Sequence, residues 1–299
     1  MMRPKNNVAM ISLGKREDMG IYKIDRLLPN RYKGAIGPVV LLDHILPLIY
    51  KPKHLMEKEE NIGPRPSRGL ATLTYIVNGQ IEHRDSKGNH TKINSGGLQW
   101  MKAGNGIIHD ERLNIDPGTN DLLIHSFQFW INLPSQNKAE DADYLFLAST
   151  DIPKRALSNK CGWIKILIGK YKGLSSKIPT HSLQFIYHLH LEAGRCFALK
   201  TTKKMSYAAF LPLQDAVIND SDYHKGELVG FDQIKGEIEI KNVSADPVDV
   251  ILFGGEPYPE PTIISGEFVM NTEHEISLAY NDYYDGKYGQ IDDGFQQNE

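Results

Sequence analysis

Apolar and polar residues alternate in short runs along most of this chain, and turn residues divide the runs. "LATLTYIVNGQIEHRDSKGNHTKINSGG" (residues 70–97) shows the pattern at length: a β-rich run, an Asn78-Gly79 turn, a second run, a Lys87-Gly88-Asn89 turn and a third run. Asn-Gly is the turn pair of β-hairpins, because both residues tolerate a positive φ. "LLIHSFQFWINLP" (122–134) is a further strand closed by Pro134, and "SLQFIYHLHLEAG", "GEIEIKN" and "VDVILFGG" repeat the style later. Helical periodicity is scarce until "NTEHEISLAYNDYYDGKYG". There Thr272 stands as an N-cap with Glu275 three residues on, which is a capping box. Ile276, Ala279, Tyr280 and Tyr283 follow at helical spacing, and Gly286 marks the stop. The pattern predicts a mainly β protein with a C-terminal helix.

Two features bear on organisation. "IVNGQIEH" around Gly79 and "QIKGEIEI" around Gly236 echo each other about half a chain apart, as in a duplicated β-barrel, although β-turns also reuse such residues by chance. The polar stretch "SQNKAEDADY" (135–144) lies near the midpoint and divides the chain into expected domains of 1–144 and 145–299.

Charge and composition narrow the function classes. With 34 basic against 37 acidic residues the net charge is −3 and no dense Lys/Arg block occurs, so direct nucleic-acid binding is not expected. The N-terminus lacks an apolar core of signal-peptide length, and "GPVVLLDHILPLIY" is too short to span a bilayer and contains Asp43 and His44. Cys161 and Cys196 are the two cysteines, too few for a disulfide framework or a Cys-based zinc site. A cytoplasmic location without membrane association is expected. No phosphate loop and no Gly-x-Ser-x-Gly elbow occurs. Glu57, Glu59 and Glu60 read as a solvated charged loop, and Trp100, Trp130 and Trp163 as core residues.

The chemistry-bearing stretch is "AGNGIIHDERL" (103–113). His109 and Glu111 lie two apart, so in a strand both side chains share one face, where an imidazole and a carboxylate together are able to ligate a divalent metal. Two ligands alone do not make a site.

Four segments resemble the pirin family, two-domain members of the cupin superfamily: "GPVVLLDHILPL", "SRGLATLTYIVNGQIEHRDSKGN", "GGLQWMKAGNGIIHDE" with "HSFQFWINLP", and "GGEPYPEPTIISGEFVMNTEHEI". The resemblance spans residues 37–276 and is poor from about 145 to 230. It implies a bicupin: two cupin-type β-barrels (double-stranded β-helix) with a metal, usually iron, in the N-terminal barrel only. It further implies three His ligands and one Glu, two from a His-Pro-His-Arg-Gly stretch and two from Gly-Ile-x-His-x-Glu. The second pair is present as His109 and Glu111. The first stretch aligns with "RPSRGL", where Arg65 and Ser67 stand in the two histidine places and Ala71 where cupins often have Glu.

That departure sets the expectations. Arginine is permanently protonated and cannot donate a lone pair, and a serine hydroxyl is a poor ligand for iron. The divalent iron-type metal of the family is therefore expected to be weak or absent, with His109 and Glu111 a remnant and Arg65, Ser67 and His125 lining a pocket. His125 and His83 are the nearest candidates to replace the lost ligands and are read as structural or pocket-lining. Asp43 and His44 are read as fold-related. Arg65 or Arg68 is expected to pair with Glu111, replacing the ion by an internal ion pair, with His109 close by. No metal is expected in the second barrel, where "HLH" (188–190) reads as a polar, partly exposed face. The family's activities are quercetinase-like oxygenation of flavonols and metal-linked regulation through protein partners. The preferred expectation is a non-catalytic binder of a small molecule or protein partner, and the alternative is a metal-dependent quercetin 2,3-dioxygenase-like enzyme.

Overall fold

The computed structural model describes residues 4–19, 22–49, 63–114, 116 and 123–291. Glu57, Glu59 and Glu60 lie outside the described residues. The chain forms two compact units, each assembled from separate segments. The carboxy-half unit comprises Met1–Asp18, Lys23–His44 and Thr150–Tyr258. The amino-half unit comprises Met19–Tyr22, Ile45–Ser149 and Pro259–Glu299. These units differ from a division at 144/145 in that most of residues 1–44 group with the second half, and 259–299 with the first.

Pairing explains where the first strand goes. The N-terminal strand Val8–Leu13 is antiparallel to Glu227–Phe231, at the edge of a seven-stranded sheet. That sheet continues through Ser206–Phe210, Val248–Gly255, Gln184–Leu191, Gly162–Ile168 and Lys154–Ala156. A four-stranded sheet of Cys196–Thr201, Gly236–Lys241, Ala216–Ile218 and Ser221–Tyr223 completes the carboxy-half barrel. Leu189, Leu191, Phe197, Ile238, Ile240 and Leu252 from both sheets share its buried core.

In the amino-half unit, Asp143–Leu147, Leu98–Lys102, Leu70–Asn78 and Leu123–Asn132 lie side by side in one sheet. Arg65–Ser67, Ile107–Asn114, Gln80–Asp85 and His90–Asn94 form the other. The Asn78-Gly79 turn therefore carries the chain from one sheet to the other instead of closing a hairpin, and Gly79 has φ +102°. Lys87-Gly88-Asn89 does close one, between Gln80–Asp85 and His90–Asn94.

The C-terminal helix Glu273–Tyr284 starts on the expected capping box, with Thr272 as N-cap and Glu275 reaching back to it. It belongs to the amino-half unit because Ile276, Ala279 and Tyr288 pack with Ile108, Phe268 and Met270. Two glycines allow the close approach. A Cβ on Gly69 (φ +77°) would sit 2.1 Å from the Val269 carbonyl oxygen, and one on Gly106 (φ +129°) 2.1 Å from the Tyr288 ring. Lys138 fastens the same place: its buried ammonium donates to the Gly69 and Val269 carbonyls at 2.7 Å and to Asn132 Oδ1 at 2.5 Å.

The echo between Gly79 and Gly236 joins strands that are not equivalent. Gln80–Asp85 follows the long strand Leu70–Asn78 and pairs with Ile107–Asn114. In the other barrel the strand that follows Gln184–Leu191 is Cys196–Thr201, and its partner is Gly236–Lys241. The duplication is one of topology.

Candidate functional site

The site is built on the inner face of the small sheet of the amino-half barrel. His109 lies between Arg65 on one neighbouring strand and Asp85 on the other, and Glu111 lies opposite His83. Alternation along Ile107–Asn114 turns Ile108 towards the helix cluster and leaves His109, 1% exposed, and Glu111 on the inner face. Diagonal contacts then tie the rows together. Arg65 Nη2 donates to Glu111 Oε2 at 3.1 Å, and Ser67 Oγ lies 3.1 Å from His109 Nε2.

Glu111 collects further donors from the large sheet: Gln99 Nε2 at 2.6 Å on Oε1 and Gln128 Nε2 at 3.0 Å on Oε2. Tyr144 orients Gln99 by donating to its Oε1 at 3.0 Å, and its ring stacks on His83 with centroids 4.4 Å apart. Asp85 holds the other side of His83, with Oδ2 3.1 Å from Nε2, while its carboxylate also caps the turn through Lys87 N, Asn89 N and Asn89 Nδ2. His83 Nδ1 and His109 Nδ1 face Glu111 Oε1 at 3.8 and 3.9 Å, too far for hydrogen bonds. Both nitrogens, and Arg65 Nη1, are buried without a hydrogen-bond partner among the described residues.

Burial is the largest influence on the protonation of each of these groups, and the neighbouring groups reinforce it at His109 and outweigh it at His83 and Glu111. Burial, with the Arg65 charge adding to it, drives the His109 pKa down to about 3, so its ring is neutral. For Glu111 burial pushes upwards but is outweighed by His83, Arg65 and His109, which leave the carboxyl well below the usual range and ionised. Burial works to lower His83 as well, yet its contacts with Asp85 and Glu111 win and hold it above the ordinary histidine value. One guanidinium and one readily protonated imidazole thus flank two carboxylates.

The Pirin family profile matches residues 23–131, and the Pirin C-terminal cupin domain matches residues 186–289. The chain is 30% identical to a pirin-like protein of Solanum lycopersicum over 94% of this chain and 97% of that one. It is 33% identical to Pirin-1 of Arabidopsis thaliana over 75% and 77%. This chain belongs to the pirin family. A solved quercetin 2,3-dioxygenase from Acinetobacter baumannii superposes with a TM-score of 0.87 at 25% identity, covering 97% of this pirin-family chain and all of that one. The fold is accordingly that of two cupin domains.

The four-ligand metal set of the pirins does not fit these residues. A permanent cation stands 3.1 Å from the one carboxylate ligand, and the Ser67 hydroxyl occupies His109 Nε2. What remains is a smaller cluster: ligand atoms of His83, His109 and Glu111 lie within 4.8 Å of one another.

Of the residues expected at the site, Arg65, Ser67, His109 and Glu111 come together, joined by His83. His125 does not join them; it is buried beside Phe127, with centroids 5.3 Å apart, next to a register shift at His125/Ser126. Arg68 is not a partner of Glu111 either. It donates to Asp282 at 2.6 Å and the Tyr288 hydroxyl at 3.2 Å, tying the helix region to the link between Arg65–Ser67 and Leu70–Asn78. Asp43 accepts a two-pronged pair from Arg26 at 2.9 and 2.8 Å, and His44 is buried edge-on to Phe210, both in the carboxy-half unit. Gln99, Gln128, Tyr144 and Asp85 were not singled out in the sequence. Period-two alternation in "GLQWMK" and "HSFQFWINL" marks the two glutamines as polar positions in apolar strands, which is the signal that would have found them.

The second barrel differs at the equivalent inner face. Where Glu111 opposes His83, the carboxy-half barrel sets Ile240 opposite Phe197 and Ile238 opposite Leu199. His188 and His190 alternate with the core residues Tyr187, Leu189 and Leu191, so they face the other side and share Asp249 Oδ1 at 3.0 and 2.8 Å. Trp163 stacks on His190 there under the Lys154 ammonium, half-buried, whereas Trp100 and Trp130 are core residues.

Proposed function

We propose that this pirin-family bicupin is a binding protein whose first barrel holds an internal ion pair in place of a catalytic metal, and that it takes a small molecule or a protein partner without oxygenating it. The observation that carries this reading is the Arg65–Glu111 contact at 3.1 Å, with the arginine side chain 15% and the glutamate side chain 6% exposed. A divalent ion on Glu111 would face that fixed positive charge at close range in a poorly screened site. Among the described residues no helix is long and apolar enough to cross a membrane, and a cytoplasmic location is part of the proposal.

A second reading is a quercetinase-type dioxygenase with metal on the residual cluster. Two observations favour it: the partnerless Nδ1 atoms of His83 and His109 turned to Glu111, and the quercetin 2,3-dioxygenase of Acinetobacter baumannii among the structural neighbours. Elemental analysis of protein purified without chelator or a metal-binding tag, combined with oxygen uptake on quercetin with and without ferrous ion, separates the two. The binder reading expects far less than one metal per chain and no turnover above buffer. Uptake that needs metal and vanishes in His109→Ala overturns it.

A further inference from the structure

The carboxy-half barrel contains a cavity of about 440 Å³ at one end, independent of the Arg65–Glu111 site and made of different residues. We propose that this cavity binds a planar aromatic anion. Its volume falls within the roughly 300–1,000 Å³ of small-molecule sites.

One wall is aromatic and already ordered. Phe185 packs against Tyr187 with centroids 4.7 Å apart and against Tyr207 at 5.7 Å, and Tyr171 stands edge-on to Tyr187 at 5.8 Å. The phenol oxygens are tethered to the rim: Tyr187 donates to the Lys170 carbonyl at 2.5 Å, and Tyr207 accepts from Thr202 N at 3.0 Å. A flat ring therefore meets a surface whose side chains lose little freedom on binding.

The charge lining the cavity has one sign. Lys170, Lys172 and Lys200 contribute to it, and no Asp or Glu does among the described residues. None of the three lysines is in an ion pair among the described residues, including Lys200, whose cross-strand neighbour is Glu237. Lys172 and Gly173 form the two-residue turn between Lys170–Tyr171 and Leu174–Ser175, both at positive φ, +43° and +87°. A lysine in that backbone region, where Asn or Gly is usual, holds its ammonium 5.3 Å from the Tyr171 ring centroid at the cavity edge.

A third element supplies direction. Gln184 lines the cavity, is 9% exposed, and its side-chain amide has no hydrogen bond among the described residues. With no partner in the protein, the amide stays open to the cavity and is available to a polar substituent on the ligand. Aromatic wall, unpaired ammonium groups and one free amide together fit an aryl carboxylate or phenolate.

The test is calorimetric titration of the full-length chain with 2-naphthoate, against 2-naphthalenemethanol as its neutral counterpart. Naphthoate is expected to bind once per chain and at least ten-fold more tightly than the alcohol. The surface variant Lys170→Glu/Lys172→Glu/Lys200→Glu is expected to weaken naphthoate at least ten-fold. Leu183→Trp, at a lining position that is 63% exposed, is expected to block the mouth and do the same, with thermal melting confirming that both variants fold. The double variant Arg65→Met/Glu111→Leu, checked by melting in the same way, is expected to leave naphthoate binding unchanged. Absence of binding at millimolar naphthoate, or binding kept in both cavity variants, overturns the proposal.

Discussion

Removing the Arg65 guanidinium leaves the Glu111 carboxylate buried with the amide donors of Gln99 and Gln128 and with His83 nearby. Breaking a buried pair from one side costs roughly 3–5 kcal/mol, and the two amides that remain place Arg65→Ala near the lower end, about 3 kcal/mol. Replacing both partners with apolar residues, Arg65→Met with Glu111→Leu, removes the stranded charge and is expected to recover most of that loss. Urea unfolding of the two variants reads the difference; a double variant as unstable as Arg65→Ala would show that the pair is not the organising contact. The same two positions permit a gain-of-function test. Arg65→His with Ser67→His deletes the cation and frees His109 Nε2 from the serine, so about one equivalent of a divalent metal per chain is expected by elemental analysis. Metal content no higher than in the parent would mean that Arg65 and Ser67 are not what excludes the ion.

At the scale of elements, the strand Ile107–Asn114 serves two masters: Ile108 packs under the C-terminal helix while His109 and Glu111 face the site. Lys138 holds the neighbouring junction, where Gly69 and Val269 meet. Lys138→Met leaves these carbonyls and Asn132 Oδ1 short of a donor, and a loss of about 1–3 kcal/mol is expected. The effect depends on pH in a defined direction. Burial lowers the Lys138 pKa from its ordinary 10.5 to about 8, with Glu275 and Glu260 opposing the shift. Between pH 8 and 10.5 the unfolded chain therefore binds more protons than the folded one, so stability from this residue rises with pH across that window. Below pH 8 the cost of burying the charge is fully present. The stability difference between the parent and Lys138→Met is thus expected to widen from pH 8 to 10, by at most about 1.4 kcal/mol per pH unit. A constant difference in urea titrations at pH 7.5, 8.5 and 9.5 would contradict the shift.

At the scale of the whole molecule, each half of the chain lends a terminal segment to the unit built mainly from the other half. Separate fragments 1–144 and 145–299 would each lose such a segment. The first lacks Phe268–Met270 and the helix that covers Ile108, and the second lacks Val8–Leu13 from the edge of its sheet. Exposed apolar surface and an uncovered sheet edge favour association. The separate fragments are expected to aggregate or to melt without a cooperative transition, and co-expression is expected to recover folded material. Two fragments that each give a sharp melt and a monomeric elution profile would contradict this.

Alternation of apolar and polar residues, the turn glycines and the Thr272–Glu275 capping box were enough to predict strands, a late helix and its start, because these are local properties of backbone and neighbouring side chains. The sequence also determined that Arg65 and Ser67 cannot ligate a metal as histidines do, since that is a property of the functional groups themselves. Register was beyond its reach. That Arg65 and not Arg68 meets Glu111, that His83 joins the cluster and His125 does not, and that Gln99 and Gln128 point inwards all depend on which strands lie side by side and where a one-residue shift falls. The reach of the terminal segments into opposite units is equally non-local: Val8–Leu13 pairs with a strand more than two hundred residues away, and only the closed barrels decide that partner.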